Sequence, residues 1–226
     1  MKNFFITLIL LTGISTSKVF SQADFSAITI GPVYSIHNRP GLAKYLHAIS
    51  DTTHLKNDLQ YNPNPGLQIG FLSRANKGEF EVEASYSYNR NEVNSDSGYI
   101  LISNTHDFGM CFGGNFVPVK FFFIGGQLVI NSFGGNTKGG DANKFQLPAD
   151  TDFNIFRGYS IVLRAQAGFN IPLKSDWSAG MRPFAFYDYG LTTFNFYTSF
   201  DHQLVAYPGS KRTGSAGYGI GLMFYL

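Results

Sequence analysis

Five histidines, one cysteine and a run of alternating glutamates are the residues of this 226-residue chain whose types could do chemistry. His37, His47 and His54 share a polar stretch with Asp51 and Asp58, a set that could ligate zinc or calcium. Their spacings match no tight metal motif, and histidines of a polar loop are ordinarily just solvated, so no metal and no cofactor is expected. A nucleophilic serine needs a histidine base within hydrogen-bond reach. His106 or His202 could serve Ser103 or Ser199, but no local serine signature accompanies them, so no catalytic residue is assigned and the chain reads as non-enzymatic. The glycine pairs at 113–114, 125–126, 134–135 and 139–140 lack the Lys-Ser/Thr ending of a phosphate loop. Cys111, alone of its type, excludes an intrachain disulfide framework.

What positions these residues is a period of two. Glu79, Glu81, Glu83, Ser85 and Ser87 alternate with Phe80, Val82, Ala84, Tyr86 and Tyr88, which is the signature of a strand with one apolar face. Eight such segments are expected, at 27–36, 66–74, 79–90, 104–115, 119–131, 158–170, 177–190 and 214–226. The fifth, apolar on both faces through Phe121–Ile124, fits least well. Connections alternate long (37–65, 132–157, 191–213), middling (91–103) and short (75–78, Val117-Pro118, 171–176). The pattern predicts an all-β, eight-stranded, antiparallel up-and-down transmembrane β-barrel with long outer loops and short periplasmic turns. Twenty-three Phe, 13 Tyr and 25 Gly, with no long helical period, agree with it.

Alternation alone does not say which face is outside. A soluble barrel would turn the apolar set inward. Here the polar set is rich in Gly, Ser and Gln, which would solvate an exterior poorly but suits a crowded, narrow lumen. The aromatics also sort by height. Tyr34, Tyr86, Tyr88, Tyr159, Tyr187, Tyr189 and Tyr218 fall at the outer strand ends, and Phe71, Phe80, Phe169, Trp177 and Phe224 at the periplasmic ends. Two girdles at two membrane interfaces are the expected result. Arg74, Glu79, Glu81, Glu83, Asp107, Arg164, Arg182 and Asp188 then face inward. Isolated charges in a water-poor lumen are costly, so these groups are expected to pair and plug the barrel. An open ion path lined by the three glutamates is the rival reading. In the first loop Leu42, Tyr45, Leu46 and Ile49 are spaced as the apolar stripe of a short helix, fit either to cap the barrel or to meet a partner.

The two termini carry targeting information. Lys2, the apolar run Phe4–Leu11 and Val19-Phe20-Ser21 read as a secretory signal peptide over 1–21, leaving 22–226 as a single barrel domain. Without Lys2 and Lys18 the chain has 15 basic and 15 acidic residues, and such neutrality suggests no nucleic-acid partner. The segment 217–226, G-Y-G-I-G-L-M-F-Y-L, resembles the C-terminal insertion signal of bacterial outer-membrane barrels, with Gly221, Phe224 and Leu226 in the matching places. On the signal peptide, strand spacing and last strand, residues 27–226 resemble the small outer-membrane β-barrels of Bacteroidota, loosely similar to OmpA- and OmpX-type eight-stranded barrels. That resemblance implies a bacterial outer-membrane location with both termini periplasmic. It also implies insertion by the BAM machinery, contact with outer-membrane lipids and lipopolysaccharide, and a protein partner in an outer-membrane assembly or secretion complex. Lipid A deacylases and acyltransferases of similar size make a lipid-modifying enzyme the alternative, and a small-solute channel a third.

Overall fold

The structure, a computed structural model, describes residues 25–38, 64–94, 99–141, 152–191, 195–200, 203–206 and 216–226. The strands are β1 (Phe25–Asn38), β2 (Asn64–Ala75), β3 (Gly78–Asn94), β4 (Tyr99–Val119), β5 (Phe122–Asp141), β6 (Asp152–Phe169), β7 (Ile171–Pro172), β8 (Gly180–Gly190), β9 (Asn195–Phe200), β10 (Gln203–Ala206) and β11 (Ala216–Tyr225). Eight of them form the wall. Each of β1 to β5 pairs antiparallel with the next, β6 pairs with β8, β8 with β11, and β11 returns to β1. The seam runs from Thr29↔Tyr225 to Asn38↔Ala216, and Leu226 continues it by exchanging backbone hydrogen bonds with Ile28 (3.1 and 3.2 Å). Closure leaves no unpaired wall edge. The signal peptide, the helix expected at 42–49, and His47, His54, Asp51, Asp58 and His202 lie outside the described residues.

All eight expected strands are present, but several boundaries differ. The tight turn is Lys120-Phe121 and not Val117-Pro118. Pro118 has no N–H to give a ladder, and it sits in the register irregularity between Phe116 and Val119 instead of reversing the chain. The fifth strand therefore starts at Phe122. The seventh wall strand starts at Gly180, three residues later than expected, because 173–179 make a turn in which Trp177 takes a φ of 66°. Trp177 donates its N–H to the Lys174 carbonyl (3.1 Å) and packs its ring on Phe121 (5.5 Å). In the same turn the Asp176 carboxylate accepts from the Ser178 N–H (3.0 Å) and hydroxyl (2.8 Å), which hold its pKa below the ordinary value. His37, expected in the first loop, belongs to β1.

At the opposite end the strands run on further than expected. β3 and β4 stay paired to Asn94↔Ile100, so the connection is only residues 95–98 and not the 91–103 expected from sequence. β5 and β6 pair to Lys138↔Asp152, and β6 then takes up β9 through Phe156↔Thr198. These segments are Asn-, Thr- and Gly-rich, so their strand period carries little apolar contrast.

Candidate functional site

The inward and outward faces of the wall separate cleanly. Thr29, Gln68, Glu81, Cys111, Gln127, Val162, Arg164, Arg182 and Asp188 are buried in the lumen. Ile28, Ile69, Tyr86, Phe108, Leu128, Leu163, Tyr187 and Ile220, each one position away in its own strand or a neighbour's, are exposed. The strands of a soluble barrel would show the reverse. The wall is thus apolar outside and polar inside.

On β6 the outward face runs from Tyr159 to Phe169, ten residues. At about 3.3 Å per residue and a tilt of about 40°, that is about 25 Å of height, the usual outward apolar band of a membrane barrel. Tyr34, Tyr86, Tyr88, Tyr159, Tyr187, Tyr189 and Tyr218 are exposed on this exterior, toward the loop end. Toward the turn end, Phe169 is exposed and packs against Phe122 (5.8 Å), and Phe224 and Leu226 are exposed on the last strand. Phe71 and Phe80 are half-buried on the same outward parity.

The lumen holds two charge assemblies. In the lower one, near the turns, Arg74 donates through Nε to Glu79 Oε1 (2.7 Å), with a second, closer contact from Nη2. Arg182 Nη2 lies 3.0 Å from Glu79 Oε2 and 2.6 Å from Glu81 Oε1. The Arg182 guanidinium also stacks on Phe123, 4.2 Å from the ring centre. In the upper one, Arg164 forks onto Asp188, Nε to Oδ1 at 2.7 Å and Nη2 to Oδ2 at 3.0 Å, and lies 3.9 Å over the Phe186 ring. Such bidentate pairs are the strongest of their kind. His37 Nε2 sits 3.4 Å from the same Asp188 Oδ2.

Five inward carboxylates against three guanidiniums leave a shortfall of cations, and neutral amides fill it. Glu83 forms no ion pair among the described residues; Gln68 and Gln127 (3.0 Å) donate to it. Gln127 (2.9 Å) and Gln166 (2.7 Å) donate to Glu81, and Gln127 thereby links the two glutamates. Asn64 donates to Asp107 at 2.8 Å, and Asn115 to Glu79 at 3.3 Å. Sequence reading put Gln and Gly on the inward face but did not foresee which amides meet which charges, nor that Phe123, Phe184 and Phe186 pack with Met223, Val33 and Val117 in the same lumen. Parity along each strand was the only signal that could have found them.

Among the described residues the interior is nearly full. A cavity of ≈ 30 Å³ lies beside His37, Gln68 and Arg164, and one of ≈ 10 Å³ between Glu81, Glu83 and Arg182. Each has room for no more than one or two waters. Part of the fit is set by glycine. Gly219 and Gly221 of β11 face the rings of Phe186 and Phe184, and a Cβ at either would run into the ring.

Of the candidate Ser–His pairings, Ser103 with His106 falls on described side chains and does not assemble; those with His202 or Ser199 lie outside them. Ser103 is buried toward the lumen, whereas His106 is on the exterior, hydrogen-bonded through Nδ1 to the Tyr86 hydroxyl (2.7 Å) and packed on Tyr88 (5.0 Å). Asp107, its neighbour in sequence, points the other way.

No protein-family model matches the chain, and no curated protein matches it. Solved structures do. A major outer membrane protein from Thermus thermophilus is similar with a TM-score of 0.50 and 10% identity, over 89% of this chain and 99% of that one. Ail, the attachment invasion locus protein of Yersinia pestis, is similar with a TM-score of 0.44 and 12% identity, over 89% and 97%. OprG from Pseudomonas aeruginosa follows with 0.40 and 12%, over 91% and 97%. At these identities the likeness is one of fold, a small closed antiparallel barrel.

Proposed function

We propose that this chain is a non-enzymatic integral β-barrel of a bacterial outer membrane that works by interaction, as an accessory subunit of an outer-membrane assembly or secretion complex. The observation that carries the reading is the filled lumen. Ion pairs, amides and rings occupy the interior among the described residues, which favours a role at the exterior and the loop end over transport through the barrel. Support for a contact role comes from the sheet that continues past the tyrosine ring. From Tyr88 to Asn94 is six residues, about 20 Å of strand at about 3.3 Å each, and the β9–β10 hairpin joins this extension through β6. The outward apolar band supports the membrane placement. The splitting of Ser103 and His106 onto opposite faces supports the non-enzymatic half of the reading.

Consistent with the Bacteroidota resemblance of its sequence, we take the chain to be inserted by BAM with both termini in the periplasm. The test is gentle detergent extraction from native outer membranes through a tag in an outer loop, followed by native-gel sizing and mass spectrometry. A stoichiometric complex is the expected result. A lone particle of monomer mass, even after crosslinking, would overturn the interaction role.

A further inference from the structure

Among the described residues, the barrel exterior carries a polar notch at the loop-side edge of its apolar band. Two neighbouring outward rows cross β3 to β6 at the tyrosine level. One is Tyr86–Phe108–Ser132–Tyr159 and the next, toward the loops, is Tyr88–His106–Gly134–Arg157. Gly134 has no side chain, so His106 and Arg157 flank an open floor two strand spacings apart, about 9.5 Å between their backbones. The result is a hollow of ≈ 210 Å³ on the outer surface, lined by Tyr86, His106, Asp107, Ser132, Arg157 and Tyr159 among others. Arg157 is exposed and forms no ion pair among the described residues. Asp107, which also borders the hollow, turns its carboxylate through the wall to Asn64 (2.8 Å).

We infer that this hollow binds the phosphate of an outer-leaflet lipid of the lipopolysaccharide class. The inference rests on the outer-membrane reading above. Charge and height both point to that occupant. Arg157 lies one outward step, about 6.6 Å along the strand, beyond Tyr159 of the tyrosine ring, which is where lipid headgroups meet hydrocarbon. An arginine fork and a histidine N–H held in place by Tyr86 offer charged and neutral donors to a tetrahedral oxyanion. Below the hollow the wall is apolar through Ile130 and Ile161 to Leu128 and Leu163. There a second hollow of ≈ 530 Å³ opens over Gly126 and Ala165 beside Tyr187. Gly134 to Gly126 is eight residues, about 20 Å of depth after tilt, somewhat more than the roughly 15 Å of hydrocarbon in one leaflet. A lipid with its phosphate over Gly134 would lay its chains along this track. A protein helix would gain nothing from an arginine at that height, whereas a phosphate would.

The full chain, folded into detergent micelles and checked for heat-modifiable migration, is titrated with bis-phosphorylated lipid A and with its dephosphorylated form, and bound lipid is counted by native mass spectrometry. The expected result is retention of the phosphorylated form at least about tenfold above the other, the discrimination one charge-assisted contact gives. Arg157→Gln should remove about tenfold of it. Gly134→Leu should abolish it by filling the floor without changing charge. Arg90→Gln, a basic residue paired with Glu92 outside the hollow, should leave it unchanged. Equal retention of both lipids, or parent-like retention by both Arg157→Gln and Gly134→Leu, overturns the inference. Displacement of lipid by millimolar inorganic phosphate also overturns it, as a site for free anion. A chain that folds and inserts but does not discriminate refutes this site alone. A chain that never inserts into bilayers refutes the outer-membrane reading and this inference with it.

Discussion

Replacing Arg182 with methionine isolates the lower charge assembly. Methionine keeps an unbranched stem of similar course beside Phe123 but removes the guanidinium that serves Glu79 at 3.0 Å and Glu81 at 2.6 Å. Removing one partner of a buried pair costs about 3–5 kcal/mol, because the other charge stays buried. Arg74 still holds Glu79, and Gln127 and Gln166 still donate to Glu81, so the cost belongs at the lower end, about 3 kcal/mol. With a urea slope of about 2 kcal/mol/M the unfolding midpoint falls by about 1.5 M. The assay is equilibrium urea unfolding and refolding in lipid vesicles, followed by the fluorescence of Trp177, the one tryptophan of the chain. Arg182→Met with Glu81→Gln removes the stranded charge as well and should recover most of the loss, a coupling of about 2 kcal/mol in the double-mutant cycle. Two results refute the reasoning. One is a single variant within about 0.5 kcal/mol of the parent, the range of an inert surface change. The other is a double variant no more stable than the single.

Two further changes test the wall. Leu163→Arg places a cation in the outward band and should cost about 2–4 kcal/mol in a bilayer, as expected near its midplane, whereas Leu163→Phe should cost little; an unaffected midpoint for Leu163→Arg would mean that this face does not meet lipid. Gly221→Val drives a branched side chain into Phe184 and should abolish heat-modifiable migration on gels, with Phe184→Ala restoring it in the pair. A folded single variant would show that the ring and the glycine do not set the packing of that layer.

The fold was legible in the sequence because a barrel strand writes its two faces in alternate letters. Phe80 to Tyr88 against Glu79 to Ser87 gives β3 and its parity, and the other seven wall strands follow with shifted ends. What alternation cannot give is the partner across the lumen. Arg182 meets Glu79 from 103 residues away, and only strand order and register decide that encounter. The same holds for the amides, since Gln166 finds Glu81 from 85 residues away. Large inward residues hid for a related reason: Phe184 and Phe186 look outward-facing by type, yet they are admitted because Gly221 and Gly219 lie opposite them on β11. Pro118 misled in the other direction, since a proline that ends most strands is tolerated here at a bulge. The polar extensions of β3 to β6 were missed because their two faces differ little in polarity.

The filled lumen is the point on which the account stands, and planar-bilayer recording of the purified protein tests it most directly. Ion pairs across the lumen and cavities of ≈ 30 and ≈ 10 Å³ predict a quiet bilayer, without steady openings after verified insertion. A steady conductance on the nanosiemens scale from pure, folded protein would contradict it, and would return the three glutamates to an ion path.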